Sequence, residues 1–311
     1  MLSREQRLRG GLWGLLVGDA LGVPYEFHEP QEIPPREQIE FQPPPDFNRA
    51  HRNTPPGTWS DDGAHALCLL ASLLKCGELD IDDLMARLLR WYQFGYMAVD
   101  NRVFDVGIQT SRALFAYRDG LLALRCGPAQ VHDNGNGALM RVLPLAMWHR
   151  GSDAELIAHA RLQSRITHGH ARSQLCCALY CLWARRILAG QEIEPAYVDA
   201  LAALRATIPE GSSDQAELEF HIRPDDPPQG EGGGYVVDAL RSAHMVLLSE
   251  SSYENVVRAA IALGYDTDTT ACIAGGLAGL YWGEAAIPQR WRDALRGREM
   301  FEPMLDTLLQ M

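Results

Sequence analysis

The sequence predicts an all-α fold, and three observations carry that expectation. Apolar residues recur at three- and four-residue intervals through most long segments. No alternating apolar–polar run of any length occurs to mark a strand. Clusters of Gly, Pro, Asn and Asp fall between the periodic segments, where helices should end. At 311 residues, 47% apolar and 22% charged, the composition is that of an ordinary globular protein. A chain of this length can bury a large core without covalent staples. No internal repeat is visible, so one domain over residues 1–311 is the economical reading.

In chain order, Arg4–Leu21 reads as an amphipathic helix with Leu8, Leu12, Leu15 and Leu16 in helical period. Residues 24–56 hold Pro34-Pro35 and Pro43-Pro44-Pro45 and predict a long ordered surface loop. Asp61–Cys76 returns to helix and is closed by Gly77. Ile81–Phe94 is amphipathic with Asp80 as its N-cap. Further helices are expected at Asp105–Tyr117, at Ala138–His149 after an Asp133–Gly137 loop, and at Glu155–Arg165. Ser173–Leu188 is apolar almost all round, which predicts a central helix. Ile208–Gly234 is the most loop-like stretch, and Tyr235–Leu248, Tyr253–Leu263 and Thr269–Trp282 close the fold as helices.

The net charge is −12, from 28 Lys+Arg against 40 Asp+Glu. No basic run is present beyond the pair Arg185-Arg186, so a nucleic-acid partner is not expected. Neither Ser173–Trp183 nor Thr269–Trp282 approaches the roughly 20 apolar residues of a membrane span. The N-terminus has basic residues before an apolar stretch, but Asp19 interrupts it and no clear cleavage site follows. The seven cysteines are odd in number and show no CxxC spacing. They read as buried, reduced thiols of a cytoplasmic protein.

Two acidic clusters stand out, Ser60-Asp61-Asp62 and Asp266-Thr267-Asp268-Thr269, each just before a strongly apolar helix. One acid or hydroxyl per helix suffices for capping. Four acids exceed that need, and like charges this close require a neutralising partner. Mg²⁺ and Mn²⁺ prefer carboxylate and hydroxyl oxygens, so the spacing favours a pair of divalent ions; a helix N-terminus can serve as cap and ligand platform together.

These clusters belong to a longer series. Gly18-Asp19-Ala20-Leu21-Gly22-Val23-Pro24-Tyr25-Glu26-Phe27, then Trp59-Ser60-Asp61-Asp62, Gly135-Asn136-Gly137-Ala138-Leu139-Met140-Arg141, Thr167-His168, Gly234-Tyr235-Val236-Val237-Asp238 and Asp266-Thr267-Asp268-Thr269 run in order through nearly the whole chain. In this order they resemble the motifs of the ADP-ribosylglycohydrolases. The resemblance implies an orthogonal helical bundle with a two-metal cleft and a hydrolase that removes ADP-ribose from a modified acceptor. Ser60, Asp61, Asp62, Asp266, Asp268 and Thr269 match the ligands of two Mg²⁺ or Mn²⁺ ions. Glu26, Asp62 and Asp105 match carboxylates that position or activate the attacking water. Gly135, Asn136 and Gly137 match a diphosphate loop, His168 a residue near the diphosphate or distal ribose, and Gly234 and Tyr235 the nucleoside side. On the residues alone, Glu26 reads as a loop acid beside an arginine, Asp105 as an N-cap, 135–137 as an Asn-Gly turn, and His168 and Tyr235 as structural.

The chain departs from the commoner pattern at Gly63-Ala64 and at Thr167–Arg172, where His170 and Arg172 are expected to add positive charge near the diphosphate. The expected acceptor is ADP-ribosylated arginine on a protein, with serine-linked ADP-ribose and O-acetyl-ADP-ribose as alternatives and a cognate ADP-ribosyltransferase as candidate partner. A catalytically weak binding or occluding, immunity-type module and a generic two-metal phosphohydrolase remain the contrasting classes.

Overall fold

The computed structural model describes residues 2–311. Fourteen α-helical segments follow one another: α1 (Arg4–Gly22), α2 (Asp61–Cys76), α3 (Ile81–Phe94), α4 (Ile108–Arg118), α5 (Leu143–Trp148), α6 (Asp153–Arg165), α7 (Ala171–Leu188), α8 (Ile193–Arg205), α9 (Ser213–Ala216), α10 (Val236–Ser249), α11 (Tyr253–Ile261), α12 (Thr267–Trp282), α13 (Gln289–Ala294) and α14 (Arg298–Leu309). Among the described residues no β-sheet forms; Gly135 and Tyr235 make a lone antiparallel bridge. The apolar faces of these helices meet in one contiguous core.

The centre of the bundle is the α1–α12 pair. Gly10, Gly14, Gly18 and Gly22 lie four residues apart and so form one stripe along α1. A Cβ on Gly10 would overlap the Gly279 carbonyl, one on Gly14 the Gly275 carbonyl, and one on Gly18 the Ala271 carbonyl. The backbones therefore touch directly along the seam. Side chains stitch it at both ends: Thr267 Oγ1 donates to Gly22 O at 2.8 Å, and Arg7 Nη1 donates to Leu280 O at 3.0 Å. Tyr253 Oη on α11 donates to Gly14 O at 2.8 Å from the side. This explains why α1 departs from the amphipathic expectation. It is buried on every face from Gly10 to Gly22, because the glycine stripe is an interface that a hydropathy pattern does not register.

Most other elements fall where periodicity places them. Asp80 caps α3 by accepting from the amides of Asp82 and Asp83, Gly77 closes α2 in the left-handed conformation, and α7 is buried almost throughout. Residues 26–60 form the expected ordered loop with only short 3₁₀ turns. It is anchored through Glu40, whose carboxylate pairs with Arg258 and Arg290.

Three differences have local causes. α4 begins at Ile108, not Asp105, because Asp105 itself takes a left-handed φ of 53°. Residues 138–142 form successive turns, with the Leu139 and Met140 amides both on the Asn136 carbonyl, so α5 covers only Leu143–Trp148. The 208–234 stretch contains α9 running into a π-helical turn over Glu217–Ile222, held by Arg205 on Glu219 and Arg172 on Glu217. Beyond the periodicity reading lie α8, α13 and α14. All seven cysteines are free thiols, and six are buried. No described helix is long and apolar enough to cross a membrane.

The seam yields a test in which two effects have opposite sign. Gly→Ala in a helix interior ordinarily stabilises by about 1 kcal/mol. At Gly279 the added methyl meets backbone, which cannot rotate away, so Gly279→Ala should instead destabilise by about 2 kcal/mol or more. Calorimetry would register this as a melting temperature several degrees lower; a raised value would show that the helices can part.

Candidate functional site

The seam delivers three chain segments to one place. α1 brings Asp19 near its C-terminal end, and α2 and α12 bring Ser60-Asp61-Asp62 and Asp266-Thr267-Asp268-Thr269 at their N-termini. The positive ends of the two helix dipoles point at the acids, which favours negative charge there. Asp19 is the brace between them. Its Oδ1 accepts from the Ser60 amide at 2.8 Å and its Oδ2 from the Gly63 amide at 2.7 Å, so a carboxylate on α1 caps α2. The sequence reading quotes Asp19 within a motif without giving it a role.

Asp62 faces Asp19 and Asp268, and one oxygen of each lies within 4.8 Å of the other two. Glu26, Asp266 and Asp268 form a second such triad. Asp268 thus belongs to both. Ser60 Oγ donates to Asp62 Oδ2 at 2.9 Å and Thr269 Oγ1 to the same oxygen at 3.3 Å. The other oxygen of Asp62, Oδ1, is buried with no partner, and so is Asp268 Oδ2. An unpaired buried charged oxygen is costly.

Burial first, and neighbouring carboxylates second, hold the acids protonated beyond their usual range. Asp19 is pushed up to about 7 by burial, with Asp105 adding to the rise and the two amides opposing it. Asp105 is pushed up to about 6 by burial and then by Asp266. Asp61, Asp62, Asp268 and Glu26 are all raised well above normal by burial, then by one another and by the neighbouring acids.

A cleft of about 440 Å³ opens over this cluster. Its lining includes the acids Glu26, Asp61, Asp105 and Asp266 with Thr269, and beside them Gly135, Asn136, Gly137, His168 and Gly234, with no Lys or Arg among them. Ser60 and Asp62 lie beneath the floor. Two orphaned carboxylate oxygens, a donor set of carboxylates and hydroxyls, and no local cation fit a pair of hard divalent ions.

The remaining candidates fall into place with corrections. Glu26 contacts His51, not an arginine. Asp105 is no N-cap; it sits before α4, capped at Gly107, and accepts no hydrogen bond from a described residue. In the 135–137 loop only part of the expected anion cradle is free. The Gly135 amide donates to Gln109 Oε1 at 2.6 Å and the Asn136 amide to Gly234 O at 3.1 Å, while the Gly137 and Ala138 amides have no protein acceptor among the described residues. Asn136 Nδ2 donates to Asp266 Oδ2 at 2.7 Å and ties the loop to the acids. Buried Arg141 supports the loop from behind through Gly137 O at 3.2 Å.

His168 packs under Gly137 and bonds Thr167. Burial, then Arg141, pushes it down to about 3, so it meets a ligand as a neutral ring. His170 caps α7 and Arg172 pairs with Glu217 and the Tyr235 hydroxyl. Neither lines the cleft, so the positive charge expected there is absent. Tyr235 is not among the cleft-lining residues, unlike Gly234; it is 40% exposed, with its ring beside Arg172. Gln109 is a lining residue that the sequence reading misses. Its Oε1 is fixed by Gly135, which leaves Nε2 buried and without an acceptor. No local motif marks it.

Comparisons with known proteins show the family. The family model described as ADP-ribosylglycohydrolase matches residues 1–311, and the chain belongs to that family. It is 30% identical over 316 residues to the ADP-ribosylarginine hydrolase Tri1 of Pseudomonas putida (strain GB-1), covering 99% of this chain and 80% of that protein. It is 28% identical to the ADP-ribosyl-[dinitrogen reductase] glycohydrolase of Rhodospirillum rubrum, over 94% of this chain and 91% of the relative. Among solved structures it matches an ADP-ribosylglycohydrolase-related protein complex with a TM-score of 0.80 and 31% identity, over 99% of both chains.

Two stability measurements address the acids. Millimolar Mg²⁺ or Mn²⁺ should raise the melting temperature, since a ligand at 100 times its Kd adds about 2.7 kcal/mol to the native state; Asp266→Asn should remove most of the rise. An equal rise in the variant would place the ions elsewhere. The second concerns pH. Folded Asp19 and Asp105 keep their protons up to about 7 and about 6, whereas unfolded aspartates lose theirs near 3.9. The unfolded state binds fewer protons across this window, so their contribution is fully present below about 4 and is lost as pH rises through about 7. In chelator the melting temperature should therefore fall from pH 5 to 7.5, and saturating Mg²⁺ should flatten the fall. Identical slopes with and without metal would contradict the electrostatic account.

Proposed function

We propose that this chain is a hydrolase, acting as one catalytic unit over residues 1–311, that releases ADP-ribose from arginine residues of a modified protein. The observation that supports it most is the make-up of the cleft. A cation-free cluster of carboxylates with two orphaned oxygens adjoins a glycine loop with two free amides. The cluster suits ribose hydroxyls reached through divalent ions, and the loop suits an anionic diphosphate. Asp61, Asp62, Asp266, Asp268 and Thr269 would hold Mg²⁺ or Mn²⁺, with Asp19 and Ser60 fixing their orientation. When bound, the ions would supply positive charge that orients the sugar hydroxyls and draws electron density from the anomeric bond.

The chain's own residues do the rest. Gly137 and Ala138 present their amides to the diphosphate, and Gln109 Nε2 is available to a ligand oxygen beside them. Tyr235, exposed beside the lining residue Gly234, would offer its ring to adenine. Asp105 is the best-suited base: it lines the cleft, it is free of hydrogen bonds from described residues, and its value of about 6 lies close to neutral pH. It would take the proton of the water that attacks C1″ as the bond to the acceptor breaks through an oxocarbenium-like transition state. Asp62 is held by two hydroxyls and Glu26 by His51, which suits them to positioning.

The arginine acceptor is supported by the names of the Tri1 and dinitrogen-reductase relatives, the first of which specifies arginine. A cognate ADP-ribosyltransferase would supply the modified protein. The seven free thiols suit a reducing cytoplasm.

The decisive assay offers arginine-linked and serine-linked ADP-ribosylated peptides, with Mg²⁺ or chelator, and identifies the product by mass. Metal-dependent release of intact ADP-ribose from the arginine substrate is expected, and Asp105→Asn should slow turnover by about 10²-fold or more. Release of AMP would instead indicate a phosphohydrolase. No release from either peptide, with metal bound, would point to an ester substrate or a binding module.

A further inference from the structure

We propose that Phe27 and Tyr265 form an aromatic clamp that receives the guanidinium of the acceptor arginine beside the carboxylates of the cleft, and that this pair sets acceptor preference. The proposal rests on the ADP-ribose hydrolase reading and adds to it a site for the leaving group.

Backbone conformation is the first ground. Phe27 and Tyr265 have φ of 64° and 58°, the left-handed region that bulky L-residues rarely enter. Glycine would sit at either position without strain. The two loops are tied to each other: the Phe27 amide donates to Tyr265 O at 2.8 Å, and the Tyr265 amide donates to His28 O at 2.7 Å. A bulky residue held in strained backbone is a recurrent mark of a functional position.

The fate of the strained rings is the second ground. Neither ring is used to fill the core. Phe27 is 71% exposed and Tyr265 44% exposed, yet both line the cleft. Each is the immediate chain neighbour of a carboxylate, Glu26 or Asp266, which places them beside the acids where the acceptor-bearing ribose would lie. Phe27 leans on His51, ring centroids 5.6 Å apart. Ile108, 70% exposed at the start of α4, adds an apolar lining surface for methylenes.

Charge is the third. Asp19, Glu26, Asp61, Asp62, Asp105, Asp266 and Asp268 converge here, and the cleft lining offers no Lys or Arg. Acids on this wall with no basic side chain opposite favour a cationic acceptor over a neutral serine or acetyl ester. A guanidinium is planar, weakly hydrated and stacks on aromatic faces, so rings and acids select the same chemical group.

The test replaces ring by aliphatic bulk without deleting volume. The Phe27→Leu/Tyr265→Leu double variant and the aromatic-preserving Phe27→Trp and Tyr265→Phe variants are compared with the wild type. Each is assayed, Mg²⁺-loaded, on an arginine-linked ADP-ribosylated peptide and on O-acetyl-ADP-ribose. Inhibition by agmatine, a guanidinium without ADP-ribose, and by free ADP-ribose is measured alongside. The leucine variant should lose about tenfold or more on the arginine substrate, chiefly through KM, with a matching loss of agmatine inhibition. Ester cleavage and ADP-ribose inhibition should change less than the arginine reaction, and the aromatic variants should stay near wild type. Parallel loss on both substrates, or an unchanged arginine reaction, would overturn the clamp. A wild type that cleaves only the ester would sink the arginine reading by itself. The clamp would then stand if the wild type were inhibited by agmatine and the leucine variant were not, and fall if agmatine inhibited neither.

Discussion

The direct backbone contact between α1 and α12 is the constraint on which the rest of the molecule depends. Helices that carry side chains at their interface sit 8–10 Å apart. Here glycine against glycine removes that spacing. The approach lets Asp19, one turn from the end of α1, reach across to the first turn of α2, while Thr267 at the head of α12 bonds the end of α1. Were the helices a side chain further apart, the carboxylates would not converge and the two acid triads could not share Asp268. Core packing and site geometry are therefore one feature of this fold.

The cost of that convergence is electrostatic. Seven carboxylates crowd together, burial and then their neighbours hold six of them toward the protonated state, and no arginine or lysine relieves them from the cleft side. Positive charge is present nearby but turned away: Arg141 is spent on Gln163 and the Gly137 carbonyl, and Arg172 on Glu217. An ion from solution would relieve that crowding, while the neutral His168 and the free amides would meet an anion through dipoles.

Much of this was legible in the sequence. Asp61, Asp62, Asp266, Asp268 and Thr269 stood out because acids crowd two helix starts, and the structure gathers them. Helix periods were readable wherever one face was apolar, as in α3 and α7. What could not be read depends on contact across the chain. The α1 stripe of glycines has no hydropathy, Gln109 acquires its role only because Gly135 meets it from 26 residues away, and the left-handed turn at Asp105 moves it off the helix its pattern implied. The expected cradle of three amides shrank because the loop's own hydrogen bonds use two of them. Spacing along a chain reports donors and acceptors; it does not report which are already taken.

Asp19 has a consequence beyond charge. Because its two oxygens are occupied by the Ser60 and Gly63 amides, the start of α2 is pinned by the protein itself. The neighbouring acids do not need an ion to find their places. Such a socket is a rigid mould, not a pair of jaws: an ion would enter or leave without the chain refolding around it. Its identity at any moment would then follow from what the surrounding solution supplies and how readily each ion sheds water.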